Sequence, residues 1–270
     1  WRIDASVPTI KFLLNNCRAI VILSHRGRPA SFDKVLSLAA KAKMLSKLLR
    51  RKVVFVPHFR FKEISDLARA APAGSVFVLE NLRFLKEESE NNNTLAEHLA
   101  GLGDFYVNDA FAVSHRANAS VVAITKFLPS YAGLELEAEI KNLSRVMKNP
   151  KKPLVIILGG LKIEDKLGVV KNLQKTASAF LIGGALTSGI LERLRRIKKI
   201  VLPVDFKYKN KIIRDVGSKS QKLFKSEIKK AGTVIWNGPL GDIGRKKFQA
   251  GTREIAKAVA ANRKAYKVVG

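Results

Sequence analysis

The sequence predicts an α/β fold, with parallel sheets covered by helices on both faces and divided between two domains. Three observations predict it. Short apolar runs alternate along the chain with longer segments whose apolar residues recur at helical spacing. The runs end on basic residues in the first half and on glycine turns in the second. At 270 residues with 47% hydrophobic content, the chain can bury two cores of ordinary size.

The elements follow in order. Pro8 to Leu14 reads as an amphipathic helix with proline near its start. Ala19 to Leu23 is a short buried strand, broken by Ser24-His25-Arg26-Gly27-Arg28-Pro29. Leu38 to Leu49 is a helix, Val53 to Val56 a strand and Ile64 to Ala71 a short helix. Ser75 to Leu79 is a strand that runs out into Glu80-Asn81-Leu82-Arg83. Thr94 to Leu102 is a helix, with Thr94 and Glu97 spaced as a capping box. Phe105 to Val107 is a strand, followed by Asn108-Asp109-Ala110-Phe111 and Ser114-His115-Arg116. Leu136, Ile140, Leu143 and Met147 mark one face of a helix, which we read as the link between the domains; Asn149-Pro150 stops it.

Leu154 to Leu158 then reads as a strand buried on both faces, ended by Gly159-Gly160. In the helix pattern that follows, Lys162 and Lys166 lie four apart and share a face. Free amides, a helix N-terminus and two ammonium groups suit a polyphosphate. Ala179 to Ile182 is a strand ending in Gly183-Gly184, and Ile200 to Asp205 is another. Ser220 to Lys230 is a helix, and Thr233 to Trp236 a strand leaving through Asn237-Gly238-Pro239-Leu240-Gly241. Phe248 to Ala261 is a helix, and Tyr266 to Gly270 starts one more strand.

Composition narrows the function. A single cysteine, Cys17, excludes a disulfide framework and a cysteine metal cluster. No apolar run approaches membrane-spanning length, and no signal peptide opens the chain. The balance of 50 Lys+Arg against 22 Asp+Glu, formally +28, attracts nucleic acid non-specifically, but no RNA-binding signature or zinc-finger spacing accompanies it. In parallel sheets, ligands bind outside the carboxyl ends of the strands. His25, Arg28, Arg83 and Arg116 each follow a strand closely, so several strand ends deliver basic groups to one edge. That pattern fits a small ligand with more than one negative group, held by bidentate guanidinium contacts.

Together these pieces resemble phosphoglycerate kinase. The matching stretches are Arg2-Ile3 with Pro8-Thr9-Ile10, Ser24 to Pro29, Leu79 to Phe84, and Tyr106 to Phe111 with His115-Arg116-Ala117. In the second half they are Gly159 to Lys166, Ile182 to Gly184, Leu202 to Asp205 and Trp236 to Gly241, all in the family's order. The resemblance implies two Rossmann-like three-layer domains joined by a hinge helix. Residues 1–133 would bind phosphoglycerate, 134–149 would link, and 150–270 would bind nucleotide. It implies that Arg2, His25, Arg26, Gly27, Arg28, Arg83 and Arg116 hold 3-phosphoglycerate or 1,3-bisphosphoglycerate. Gly159, Gly160, Leu161, Lys162, Lys166, Gly183, Gly184, Asn237, Gly238 and Pro239 would line the ATP/ADP site. Arg2 and Lys162 would be catalytic. Mg2+ would accompany the nucleotide, its protein ligands unassigned. A cytoplasmic monomer is expected.

The chain departs from the family in places. The family's Val-Asp-Phe-Asn strand would precede Trp1, and its Gly-Gly-Asp-Thr motif would follow Gly270. The segment between Gly189 and Ile200 and the loop after Val56 are short. Gly244 stands where a ribose-binding glutamate is usual, Ala112-Val113 replaces Gly-Thr, and Asn118 replaces a histidine. The expectation is that pieces of a longer protein are missing. Two rival readings are a catalytically impaired relative and a basic nucleic-acid-binding protein on the same scaffold.

Overall fold

The computed structural model describes residues 2–160, 167–184, 192 and 194–270. The chain divides into two compact units, Trp1–Asn142 and Leu143–Gly270.

The first unit is built on a parallel sheet of β1 (Ala19–Ile22), β2 (Val53–Val56) and β3 (Ser75–Leu79), in the order β1-β3-β2. Side chains alternate across it, as the two-residue period of a strand requires. Phe77 and Leu79 face a core with Ile64 and Ala68 of helix α3 (Phe61–Ala70) and Leu95, Ala96 and Leu99 of the helix Asn93–Ala100. Val78 and Ile20 face the other core, with Ile10 of α1 (Arg2–Leu14) and Leu38, Ala42 and Leu45 at α2 (Ala39–Leu49). Helices therefore cover both faces, making three layers. A separate parallel pair, β4 (Tyr106–Asn108) with β5 (Ser130–Ala132), stands beside this sheet.

The second unit carries a five-stranded parallel sheet in the order β12-β11-β6-β7-β8. Its strands are β6 (Leu154–Leu158), β7 (Ala179–Ile182), β8 (Ile200–Val201), β11 (Thr233–Asn237) and β12 (Tyr266–Val269). All five residues of β6 are at most 2% exposed, so each of these large aliphatic side chains contributes about 1.5–3 kcal/mol. Val155 and Ile157 meet Phe224 and Ile228 of the helix Ser218–Lys230, and Ile255 and Val259 of the helix Ala250–Ala261. Leu154, Ile156 and Leu158 meet Val170 of the helix Leu167–Leu173. From β6 the chain steps outward through β7 and β8, then returns to the other side of β6 for β11. The β6/β11 boundary is thus a topological switch point, where such sheets leave a crevice for ligands.

The helix Leu134–Lys148 crosses the dividing line between the units. Its first turn is held inside the first unit. Asp109 Oδ1 accepts from the amides of Glu135 (2.9 Å) and Leu136 (3.2 Å), and Thr9 Oγ1 accepts from that of Leu134 (3.0 Å). Its last turn sits in the second unit, with the Arg145 guanidinium 4.9 Å from the ring centre of Tyr266.

Several expectations shift. The first helix begins at Arg2, so Pro8 lies in its interior and not near its start; there the ring removes one intrahelical donor and crowds the carbonyl four residues back. The helix Asn93–Ala100 is capped by Asn92, whose side chain accepts from Leu95 N, and not by Thr94. Asn ranks above Thr at this position, and Asn91 at φ 54° turns the chain into it. β8 stops at Val201 and does not reach Asp205: Pro203 cannot donate to the ladder, and Asp205 instead accepts from Lys219 N and Ser220 N at the start of the helix Ser218–Lys230. The linking helix has no continuous buried stripe: Leu136 and Val146 are buried, whereas Ile140 and Met147 are exposed. An antiparallel hairpin of β9 (Phe206–Lys209) and β10 (Ile212–Val216) is additional, turning through Asn210 and Lys211, both left-handed.

Candidate active site

In the first unit, the carboxyl ends of β1 and β3 are tied together by two buried polar residues. Glu80, 4% exposed, accepts from Ser37 Oγ (2.7 Å) and from the amides of Leu38 (2.9 Å) and Asn81 (2.7 Å). Asn81, fully buried, accepts from the amides of Arg26 (3.1 Å) and Arg83 (3.2 Å) and donates to the carbonyls of Arg26 and Leu36. The loop 24–36 and the turn Leu82–Phe84 are therefore cross-braced through Asn81, a buried side chain that meets polar groups of both.

On this frame Arg28, Arg83, Ser89, His115, Arg116 and Asn118 line a cleft of about 570 Å³. Arg83 Nη1 donates to the carbonyl of Gly27 (2.6 Å), a residue at φ 66° where glycine is at ease. Partial burial first, then the charges of Arg116 and Arg28, hold the Arg83 guanidinium below the usual arginine range; Glu88 acts in the opposite sense. Cations forced together in this way store repulsion that an anion relieves. Arg116 Nε is buried and makes no hydrogen bond. A buried donor without an acceptor is costly.

Other expected residues lie differently. Arg26 uses its guanidinium within its own loop, donating from Nη1 to the Val35 carbonyl (2.6 Å). His25 is partly buried after β1 and is not among the residues lining the cleft. Arg2 opens the first helix. His115, Ser89 and Asn118 join the cleft, and Glu80, Asn81 and Glu88 frame it, although none of them is among the residues expected from the sequence. Glu80, Asn81 and His115 lie within the matching motifs, whereas Glu88, Ser89 and Asn118 fall outside them and carry no local signal.

In the second unit, the glycine turns after β6, β7 and β11 interlock. The amides of Gly159, Gly160, Gly183 and Gly184 donate to the carbonyls of Asn237, Pro239, Leu158 and Leu240. The amides of Gly159 and Gly160 are thus engaged with backbone and not free; those of residues 161–166 lie outside the described residues. The glycines serve close approach instead. A Cβ on Gly159 would lie 2.2 Å from Pro239 O, and one on Gly183 2.4 Å from Leu240 Cδ2. Gly184, at φ 89°, would place a Cβ 2.4 Å from Gly160 O. Gly238 (φ 82°) turns the chain after Asn237, and its carbonyl accepts from Trp236 Nε1 (2.7 Å). Leu161, Lys162 and Lys166 lie outside the described residues.

Among the described residues no helix is long and apolar enough to cross a membrane. Nor do the described residues place three or more His, Cys, Asp or Glu side chains so as to hold a metal ion.

Comparison with known proteins agrees with this geometry. The family model described as "Phosphoglycerate kinase" matches residues 1–198 and 190–270. The phosphoglycerate kinase of Thermosipho africanus is 38% identical over 96% of this chain and 76% of its own length. That of Dictyoglomus turgidum is 36% identical over the whole chain and 79% of its own length. Solved phosphoglycerate kinase structures superpose on the whole chain. The one from Coxiella burnetii does so with a TM-score of 0.79 at 32% identity, covering 79% of that chain, and the one from Pyrococcus horikoshii with 0.85 at 29%, covering 80%. An α/β chain of parallel sheets, with clustered arginines at one sheet edge and interlocked glycine turns at another, belongs to the phosphoglycerate kinase family.

Proposed function

We propose that this chain transfers a phosphoryl group between the acyl phosphate of 1,3-bisphosphoglycerate and MgADP, giving 3-phosphoglycerate and MgATP. The observation that carries the reading is the meeting of Arg28, Arg83 and Arg116 on one cleft. Three guanidinium groups suit a ligand with a carboxylate and a phosphate. They offer two planar forks and a further charge at short range.

The chemistry asks little acid–base work of the protein. In the reverse direction the attacking group is a carboxylate, already ionised at pH 7, so no general base is required. Catalysis is then positioning plus charge stabilisation of an in-line transfer. Holding both reactants in line contributes roughly 7–11 kcal/mol. We assign phosphoglycerate to the first unit, through Arg28, Arg83 and Arg116, with His25, Arg26 and Gly27 forming the loop behind them. We assign the nucleotide to the switch-point edge of the second unit, at Gly159, Gly160, Gly183, Gly184, Asn237, Gly238 and Pro239. Four of those glycines shape the crevice while their own amides serve the turns. Lys162 and Lys166 are assigned to the nucleotide phosphates. Arg2 and Lys162 are assigned to the equatorial oxygens of the transferring group, where charge develops. Magnesium enters with the nucleotide as part of the substrate, held chiefly by phosphate oxygens.

The test is an ATP-forming assay with 1,3-bisphosphoglycerate and MgADP on the purified chain. Substrate-dependent ATP formation that saturates in both substrates is expected. Absence of turnover together with absence of 3-phosphoglycerate binding would overturn the assignment.

A further inference from the structure

Glu88 is 1% exposed, yet it neither lines the cleft nor belongs to the motif residues assigned above. It sits in the one-turn helix Lys86–Ser89, beside Ser89 of the cleft wall. Its carboxylate is spent on one short segment. Oε1 accepts from Ser120 Oγ (2.6 Å) and Asn118 Nδ2 (3.1 Å), and Oε2 accepts from Ser120 N (3.0 Å). Its backbone carbonyl accepts from Ala119 N (2.9 Å). All four donors are neutral, and all belong to residues 118–120, directly after Arg116 and Ala117.

A buried carboxylate is costly unless it is fully hydrogen-bonded, and this one is bonded to a single stretch of chain. That stretch is where the cleft wall is made, since Arg116, Ala117 and Asn118 all line it. The Arg116 amide is itself fixed to Val113 O, so the arginine's backbone is clamped from both sides. Side-chain partners are a separate matter: the Arg116 Nε has none. The aim of that guanidinium therefore depends on where its backbone is held, and Glu88 is the anchor on its carboxyl-terminal side.

We propose that Glu88 is a positioning residue for anion binding: its buried carboxylate fixes the segment 118–120 and so sets Arg116 against Arg83 in the cleft. The proposal rests on the reading of the cleft as the phosphoglycerate site. Removing the anchor loosens one of the three guanidinium groups and leaves the second unit untouched. The effect falls on phosphoglycerate, in KM more than in kcat, because a contact made equally in ground and transition states changes KM alone.

The experiment compares Glu88→Ala, Glu88→Gln and Ser120→Ala with the parent chain. 3-Phosphoglycerate and MgADP are titrated calorimetrically, with steady-state kinetics and thermal unfolding alongside. Glu88→Ala is expected to weaken 3-phosphoglycerate binding at least tenfold and to raise its KM in step, with MgADP affinity within twofold. Glu88→Gln is expected to stay within threefold of the parent, because its carbonyl can serve Ser120 N–H while the Asn118 amide and Ser120 hydroxyl turn to accept from its NH2. Equal losses for both ligands in Glu88→Ala, unchanged 3-phosphoglycerate affinity, or a Glu88→Gln defect as large as that of Glu88→Ala would each overturn the positioning role. If Glu88→Ala does not fold, Ser120→Ala decides. It removes only the 2.6 Å bond and is expected to weaken 3-phosphoglycerate binding at least threefold with unchanged melting; no change in affinity overturns the proposal. A parent chain that fails to bind 3-phosphoglycerate refutes the reading of the cleft. A parent that binds, with Glu88→Ala binding equally well, refutes the role of Glu88 alone.

Discussion

Replacing Gly184 by alanine tests the interlocked turns directly. Its φ of 89° lies in a region that L side chains adopt at a cost of about 1–2 kcal/mol. The new Cβ would also lie 2.4 Å from Gly160 O and 2.6 Å from Gly160 N, both backbone atoms with no rotamer to retreat into. Overpacking of this kind costs typically about 1–3 kcal/mol. The two together give about 2–5 kcal/mol, or a fall in the unfolding midpoint of roughly 5–20 °C for a unit of this size. Gly168→Ala is the matched control. Gly168 is exposed in a helix, and a Cβ there meets nothing within 4 Å. It should be neutral or stabilising by up to about 1 kcal/mol. The assay is thermal unfolding of both variants and the parent, followed by calorimetric titration of MgADP and 3-phosphoglycerate into each. Gly184→Ala should lose nucleotide affinity more than phosphoglycerate affinity. A Gly184→Ala protein that melts with the parent and binds MgADP as tightly would refute the claim that close approach, rather than amide donation, is why glycine stands there.

Arg26→Ala should weaken 3-phosphoglycerate binding less than fivefold by calorimetry, because the Arg26 guanidinium is occupied by the Val35 carbonyl. A loss of tenfold or more would place Arg26 on the ligand. Asp109→Ala should lower stability by about 1–2 kcal/mol in urea unfolding, since one carboxylate oxygen caps two amides of the linking helix; Asp109→Asn should retain most of it. Glu254 is held down to about 2 from an ordinary 4.5 by its hydrogen bonds to Lys225 and Lys257. A carboxylate with a depressed folded-state pKa contributes stability that is fully present above about pH 4.5 and lost as pH falls toward 2. The midpoint difference between parent and Glu254→Gln should therefore be present at pH 7 and shrink below pH 4; a difference that grows in acid would reverse the assigned sign.

Most of the sheet strands were legible because each is a short apolar run between turn or helix signals. Leu154 to Leu158 appears at its observed bounds, and Val53 to Val56 and Ser75 to Leu79 do likewise. The strand Ser130–Ala132 was not legible, since all three residues are exposed and carry no apolar pattern. The hairpin of β9 and β10 was hidden by its turn: Asn210-Lys211 lacks the glycine that usually marks a left-handed pair. At the site, the sequence placed Arg28, Arg83 and Arg116 at strand ends, and the cleft brings these three together. Spacing could not reveal what the glycine amides bond to, because Gly159–Asn237 and Gly184–Leu240 are contacts between turns distant in the chain. The carboxylates Glu80 and Glu88 escaped notice for a similar reason. A charged residue after a strand, as Glu80 is, or in a short polar helix, as Glu88 is, reads as solvated until its distant partners, Ser37, Leu38 and Ser120, are seen.

The most direct test of the account is calorimetric titration of 3-phosphoglycerate into the parent chain and into the double variant Arg83→Ala/Arg116→Ala. Each charge-assisted contact contributes about 1.5–3 kcal/mol, so losing two should weaken binding by a factor of at least about 100. MgADP affinity should stay within twofold. A double variant that binds 3-phosphoglycerate as the parent does, or that loses MgADP instead, would contradict the assignment of the arginine cleft to the phosphoglycerate.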